Sequence, residues 1–308
     1  MPRPFNRLLL LLLLSVAAVA QAAEGELLVG FAQDHLANDW RQAQVRVLQR
    51  GLEGDERIRF IYTDAGGSTA RQIRDIEDLI HRGVDVLVTS PRDSVAMTPV
   101  VRQAYQQGIA VILLTRQIES EDYTSFISPN DAAIARQAAR YLGEHLDGQG
   151  RVLILQGVPG ATTTQQRTDA FIDTLAQEYP QMQIAGIRVA NYLRNEAIRA
   201  MEEVYREGLA FDAIYAQSDS MASGARLAMQ VQGIDPASVP TVGIDYIGEA
   251  REAILAGTQL ASFTYPTSAE EAAELIIRLA DGEDIPTHME VPSQLVDIDN
   301  IHDVEPIF

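Results

Sequence analysis

Three observations predict an α/β fold of two doubly wound parallel-sheet lobes. Short β-branched and apolar runs alternate with amphipathic stretches, the alternation restarts midway along the chain, and 308 residues exceed what one hydrophobic core usually serves. In the first half Leu27–Ala32, Ile58–Tyr62, Val84–Thr89, Ala110–Leu114 and Ser125–Ser128 read as strands. Between them Asp39–Gly51, Thr69–Arg82, Ser94–Gln107 and Asp131–Leu146 carry apolar residues at helical spacing. Such βαβ units wind right-handed, with helices on both sheet faces. The second half repeats the pattern with strands at Arg151–Leu155, Gln183–Val189, Ala213–Ala216, Val239–Ile244 and Gln259–Thr264. Helices are expected at Thr164–Glu178, Asn195–Glu207, Ser220–Gln232, Ile247–Ala256 and Ser268–Asp281. Two sheets of similar size follow. The first crossover between them is expected near Pro129.

Ahead of the first strand, Arg3 and Arg7 precede an apolar run from Leu8 to Leu14 that continues to Ala20. The run is short for a bilayer span, and Ala20-Gln21-Ala22 offers a small-x-small cleavage site, so residues 1–22 read as a signal peptide. The chain has no Cys, which removes disulfides, thiolate chemistry and the Cys that lipidation requires. A soluble, exported product is the expectation, released in the periplasm of a cell with an outer membrane. The formal net charge is -19, and cleavage of the leader removes two further Arg. Nucleic acid is thereby a poor partner, because no basic footprint is available to displace counterions from phosphates. Every basic side chain is Arg, so lysine Schiff-base and P-loop chemistry are excluded.

Ligands of open parallel sheets sit beyond the carboxyl ends of the strands. The residues there are Gln33, Asn38, Trp40 and Arg41 after the first strand, Pro91 and Arg92 after the third, and Thr115 and Arg116 after the fourth. The second half adds Gly157 to Gln166 with Arg167, then Asn191, Tyr192, Ser218, Asp219, Asp245 and Thr264 with Tyr265. Planar hydrogen-bonding groups beside an aromatic ring suit a sugar, which has an apolar ring face and a belt of hydroxyls. Trp40 reads as a pocket rim that carries little of the core. Arg167 reads equally as a pocket residue or a surface partner of Asp169 or Glu178, and Asp219 as the cap of a helix beginning at Ser220.

An enzyme is not expected. Asp219 and Asp245 could be imagined as a glycosidase acid and base, but Arg neighbours are expected to keep both ionised, and the five His show no metal-ligand spacing.

Through Gly30-Phe31-Ala32-Gln33, Trp40-Arg41, Gly83-Val84-Asp85, Ser90-Pro91 and Leu114-Thr115-Arg116-Gln117 the chain resembles the type I periplasmic sugar-binding proteins, the ribose- and galactofuranose-binding members in particular. Leu155-Gln156-Gly157, Gln166-Arg167, Ala216 to Ala222, Gly243-Ile244-Asp245 and Pro292 to Asn300 extend the resemblance over nearly the whole mature chain. It implies the type I periplasmic binding protein fold, with a three-crossing hinge near Ser128–Asp131, Phe263–Pro266 and Glu290–Ser293 and lobes of residues 23–129 with 265–291 and 130–264 with 292–308, and ligand contacts from Asn38, Trp40, Arg41 and Arg116 facing Arg167, Tyr192 and Asp245. The pattern departs at Thr115, where relatives carry Asp, and at Ser218, where they carry Asn; with Thr264 these complete the expected ligand-binding set. The resemblance also implies a monomer without cofactor that closes on a sugar or sugar acid. The closed lobes would engage an ATP-driven inner-membrane permease or, alternatively, a chemoreceptor or sensor kinase. Loss of the carboxylate at Thr115, with Arg41, Arg116 and Arg167 retained, points to an acidic sugar.

Overall fold

In the computed structural model, which describes residues 26–308, the parallel sheets form as the alternation requires. The signal-peptide segment lies outside the described residues. The first sheet collects β1 (Leu27–Gln33), β2 (Ile58–Asp64), β3 (Val86–Thr89), β4 (Ala110–Leu114), β5 (Ser125–Ser128) and β11 (His288–Glu290). Their order is β2-β1-β3-β4-β5-β11, all parallel. The second holds β6 (Gln149–Gln156), β7 (Gln181–Val189), β8 (Ala213–Ala216) and β9 (Thr241–Val242) in the order β7-β6-β8-β9. Beside β9, β10 (Ser262–Phe263) pairs antiparallel with β12 (Leu295–Val296), and parallel bridges Val242 to Ala261 and Asp245 to Thr264 tie this pair to the larger sheet. Both sheets therefore repeat one doubly wound order.

The expected strands Val239–Ile244 and Gln259–Thr264 shrink to two residues each. Pro240 has no amide hydrogen to offer the ladder, and Gly243 leaves it where the chain meets Asp219. Strand β11 had no signal in the sequence, since three residues are too few for a period.

Alternation along each strand feeds two cores. Val29, Phe31, Val88 and Ile112 face α1 (Asp39–Leu52) and α9 (Ala269–Ala280), whereas Leu87, Val111 and Leu113 face α2 (Thr69–His81) and α3 (Ser94–Gln106). In the second sheet Val152, Ile154 and Tyr215 face α4 (Asp131–His145) and α5 (Thr162–Glu178). Leu153, Leu155 and Ile214 face α6 (Arg194–Glu207) and α7 (Asp219–Val231). Each such side chain contributes about 2 kcal/mol of burial. The remaining helix, α8 (Gly248–Leu255), packs Ile254 with Tyr246, Val296 and Ile301. Helix α9 joins the first core although it follows the second sheet in sequence, so the chain crosses between lobes at Ser128–Asp131, after Phe263 and after Glu290.

Candidate functional site

The in-step parallel register, with Gln33 opposite Asp64 and Ala32 opposite Thr89, brings the carboxyl ends of β1 and β3 side by side at the switch point of the first sheet. The corresponding ends of the second sheet face them across a cleft. A small cavity lies between them. Asn38, Trp40, Arg41 and Thr115 line it from the first lobe, and Thr163, Arg167, Tyr192, Ser218, Asp245 and Tyr265 from the segments after the first crossing.

The lobes touch around this cavity. Asn38 caps α1, its Oδ1 accepting from the Arg41 amide at 3.2 Å, while its Nδ2 donates across the cleft to the Tyr192 carbonyl at 2.7 Å. Thr163 Oγ1 donates to the Thr115 carbonyl at 2.7 Å, and the Ser94 amide donates to the Gly160 carbonyl at 2.9 Å. Trp40 lines the cavity and also belongs to the core, against the expectation that it carries little of it. It is 5% exposed, packs into the hydrophobic cluster of the opposite lobe with Phe171, Tyr215 and Tyr265, and donates its Nε1 hydrogen to the Tyr265 carbonyl at 2.9 Å.

Arg167 belongs to the cleft and not to the surface. Its Nε meets Asp131 Oδ1 at 2.7 Å, Nη1 meets the Gln217 carbonyl at 2.5 Å, and the guanidinium lies 4.3 Å from the Tyr265 ring centroid. Burial opposes its charge, but Asp131 overrides that cost and holds the pKa above the usual arginine value. Glu178 pairs with Arg140 instead. Arg41 donates Nη1 to Ser90 Oγ at 2.9 Å and to Gln44 Oε1 at 3.1 Å. Arg116 is fully buried behind the lining, its Nη1 on Asp34 Oδ2 at 2.9 Å and its guanidinium 5.6 Å from the Tyr192 ring centroid. Thr264 also stands behind the cavity, its Oγ1 accepting from the Gln294 amide at 3.0 Å where two crossings meet. The geometry thus gathers eight of the ten expected residues on the lining and leaves Arg116 and Thr264 one layer out.

Two carboxylates differ from expectation. Ser218, not Asp219, caps α7, its Oγ accepting from the Met221 amide at 3.3 Å. Asp219 turns away to accept from the Tyr246 amide at 2.7 Å, Ser262 Oγ at 2.6 Å and Gln259 Nε2 at 2.8 Å. Burial, more than the Arg neighbours, sets the proton affinity of Asp219 and Asp245. Burial pushes Asp219 up to about 6, against the opposing hydrogen bonds from Ser262 and Gln259. Burial and then the Asp219 charge push Asp245 up too, and Arg167 and Arg41 offset this only in part. The Asp245 carboxylate lines the cavity and makes no side-chain hydrogen bond among the described residues.

Backbone strain concentrates here. Thr115 (φ 61°), Asn191 (48°), Tyr192 (63°), Asp245 (119°) and Tyr246 (52°) occupy the left-handed region outside glycine, in loops that follow strands. Sequence reasoning passed over Asp34 and Asp131, included Thr163 only within the Gly157–Gln166 stretch, and left Tyr265 without a role. Asp34 directly follows β1 and was open to the strand-end rule; Asp131 and Thr163 open helices, where polar residues read as caps.

Residues 29–284 match the periplasmic binding protein domain family. The xylitol-binding protein of Mycolicibacterium smegmatis is 28% identical over 233 residues, 75% of this chain and 66% of that protein. The ribose import binding protein of Bacillus subtilis is 28% identical over 201 residues, 64% of each chain. The aligned region thus spans just under two thirds of these curated relatives. Among solved structures, the fructose-binding periplasmic domain of a hybrid two-component system superposes with a TM-score of 0.84 at 28% identity, covering 90% of this chain and 92% of that one. With a family match over most of its length and two doubly wound lobes meeting at a polar cleft, the chain belongs to the periplasmic binding protein family and has its type I fold.

Proposed function

We propose that the chain is a periplasmic receptor for a neutral sugar or polyol, held between its lobes without chemical turnover and delivered to an ATP-driven importer. The lobes, residues 23–129 with 265–291 and 130–264 with 292–308, rotate about the three crossings, and ligand selects the closed arrangement because only there do both walls touch it. Asn38, Trp40, Arg41, Thr115, Arg167, Tyr192, Ser218 and Asp245 supply the contacts; Arg116 and Thr264 support them from behind.

The observation that carries this reading is the Asp245 carboxylate, buried in an aromatic-walled cavity without a side-chain partner, while the guanidinium groups on the lining already have carboxylates of their own. Arg41 has Asp34 and Arg167 has Asp131. A carboxyl group so placed is matched by ligand hydroxyls, which both donate and accept. The premise for an acidic sugar, an arginine cluster without a carboxylate, is not met, because Asp34 stands among the arginines.

The importer role draws on the relatives named as import binding proteins. A sensory role, with the closed lobes read by a kinase or chemoreceptor, draws on the likeness to the periplasmic domain of a two-component system. Calorimetric titration of the purified protein with pentoses, hexoses, polyols and their uronates or aldonates tests the ligand class. Tighter binding of a neutral member is expected, and a thermal shift equivalent to about 2.7 kcal/mol at a hundredfold excess over Kd. Tighter binding of every acidic member, or of none in the panel, would overturn it.

A further inference from the structure

Behind the Arg41 wall of the cleft, three guanidinium groups from three different strand-end segments converge on one carboxylate. Asp34, at the end of β1, is fully buried. Its Oδ2 lies 2.9 Å from Arg116 Nη1 and 3.6 Å from Arg92 Nη1, and its Oδ1 lies 3.5 Å from Arg41 Nε. Arg41 itself lines the cavity, and Arg116 backs the Tyr192 ring that does so. Burial lowers the pKa of the neighbouring His35 ring, which disfavours a fourth positive charge here. Among the described residues Asp34 is the one carboxylate within 4 Å of these three guanidinium groups. Burial would raise its pKa, but Arg116 and Arg41 hold it well below the ordinary range, so it is ionised at any working pH.

We propose that Asp34 determines the charge selectivity of the site, lowering the positive potential at the first-lobe wall so that a neutral sugar is preferred over its acid. The proposal rests on the neutral-ligand reading above and assigns it to a residue that does not touch ligand. The interior transmits the effect because it screens poorly. A unit charge about 10 Å from a ligand carboxylate, at an effective dielectric constant of about 20, changes the affinity of that carboxylate by roughly tenfold and leaves a neutral ligand to respond only through geometry.

The test compares the best-binding neutral sugar of the calorimetric panel with the uronate of the same ring. Asp34→Asn is expected to raise the uronate-to-sugar affinity ratio roughly tenfold, whatever happens to either affinity alone. Arg92→Gln, remote from the cavity lining and partly exposed, removes a positive charge and is expected to move the ratio the opposite way. If Asp34→Asn fails to fold, the Arg92→Gln ratio decides, and a ratio unchanged within twofold in that variant overturns the proposal. Loss of sugar affinity with an unchanged ratio in Asp34→Asn likewise reduces Asp34 to a structural ion-pair partner. Absence of sugar binding by the unaltered protein would instead overturn the function proposed above, so the two failures are distinguishable.

Discussion

Thr115 shows at the scale of one residue how the site holds strain for function. A β-branched side chain at φ 61° costs about 1–2 kcal/mol. The backbone is held there from both sides, its amide donating to the Ile127 carbonyl at 2.8 Å and its carbonyl accepting from Thr163 across the cleft. Thr115→Gly removes the strain at a smaller cost in unfolded-chain entropy, so a net gain of about 1 kcal/mol is expected in denaturant unfolding, together with weaker ligand binding. A loss of stability would show that the loop is not strained. Asp219 makes a second residue-scale case, through proton linkage. Its folded pKa of about 6 lies above the unfolded value near 4, so the folded state binds more protons between those limits. Its contribution is therefore fully present below about pH 4 and is lost, on the order of 3 kcal/mol, as pH rises through 6. Asp34 has the opposite sign, its stabilisation being lost only as pH falls below the ordinary carboxylate range, so it is silent in that window. Thermal midpoints at pH 5 and pH 7 should therefore differ more in the unaltered protein than in Asp219→Asn. Equal differences would refute the assignment.

The same carboxylate organises an element. Asp219 sits in the first turn of α7 yet ties that turn to the segment after β9 and to β10, through the Tyr246 amide and Ser262 Oγ. This contact carries Asp245 and Tyr246 into their left-handed conformations and aims Asp245 at the cavity. Gly243 is required beside it, since a Cβ there would lie 1.9 Å from Asp219 Oδ1. Gly243→Ala is expected to cost at least 2 kcal/mol, on the order of an overpacked core site, and to weaken ligand binding with it. Unchanged unfolding would mean that the segment relaxes freely. The sequence placed a helix here one residue late and misread its cap, because Ser218 and Asp219 are both good capping residues and only the direction of each side chain separates them.

At the scale of the whole molecule, the proposed closure is tested at the seam between the lobes. Gly160 approaches Asp93 so closely that a Cβ would lie 2.6 Å from its Oδ2 and 3.3 Å from its Cα. Gly160→Val is expected to hold the lobes apart, lowering ligand affinity at least tenfold and drawing Trp40 out of the opposite lobe's cluster while both sheets stay folded. Trp40, the single Trp of the chain, lies in the seam and reports closure through its fluorescence. Undiminished affinity in this variant would place the closed form elsewhere.

Period and punctuation determined the fold class. Long runs such as Val86–Thr89 and Ala110–Leu114, and amphipathic helices such as Thr69–His81, carry their structure locally, and the restart of the rhythm gave two lobes. The strand-end rule also found most of the cavity lining, since parallel sheets converge their carboxyl ends whatever the residues are. Local pattern could not show which carboxylate answers which guanidinium. Asp34 to Arg116, Asp131 to Arg167 and Trp40 to the opposite core are contacts between segments far apart in sequence, fixed by how two rigid sheets meet. Electrostatic balance and burial depend on those distances, and so the tertiary structure alone decided the charge of the site.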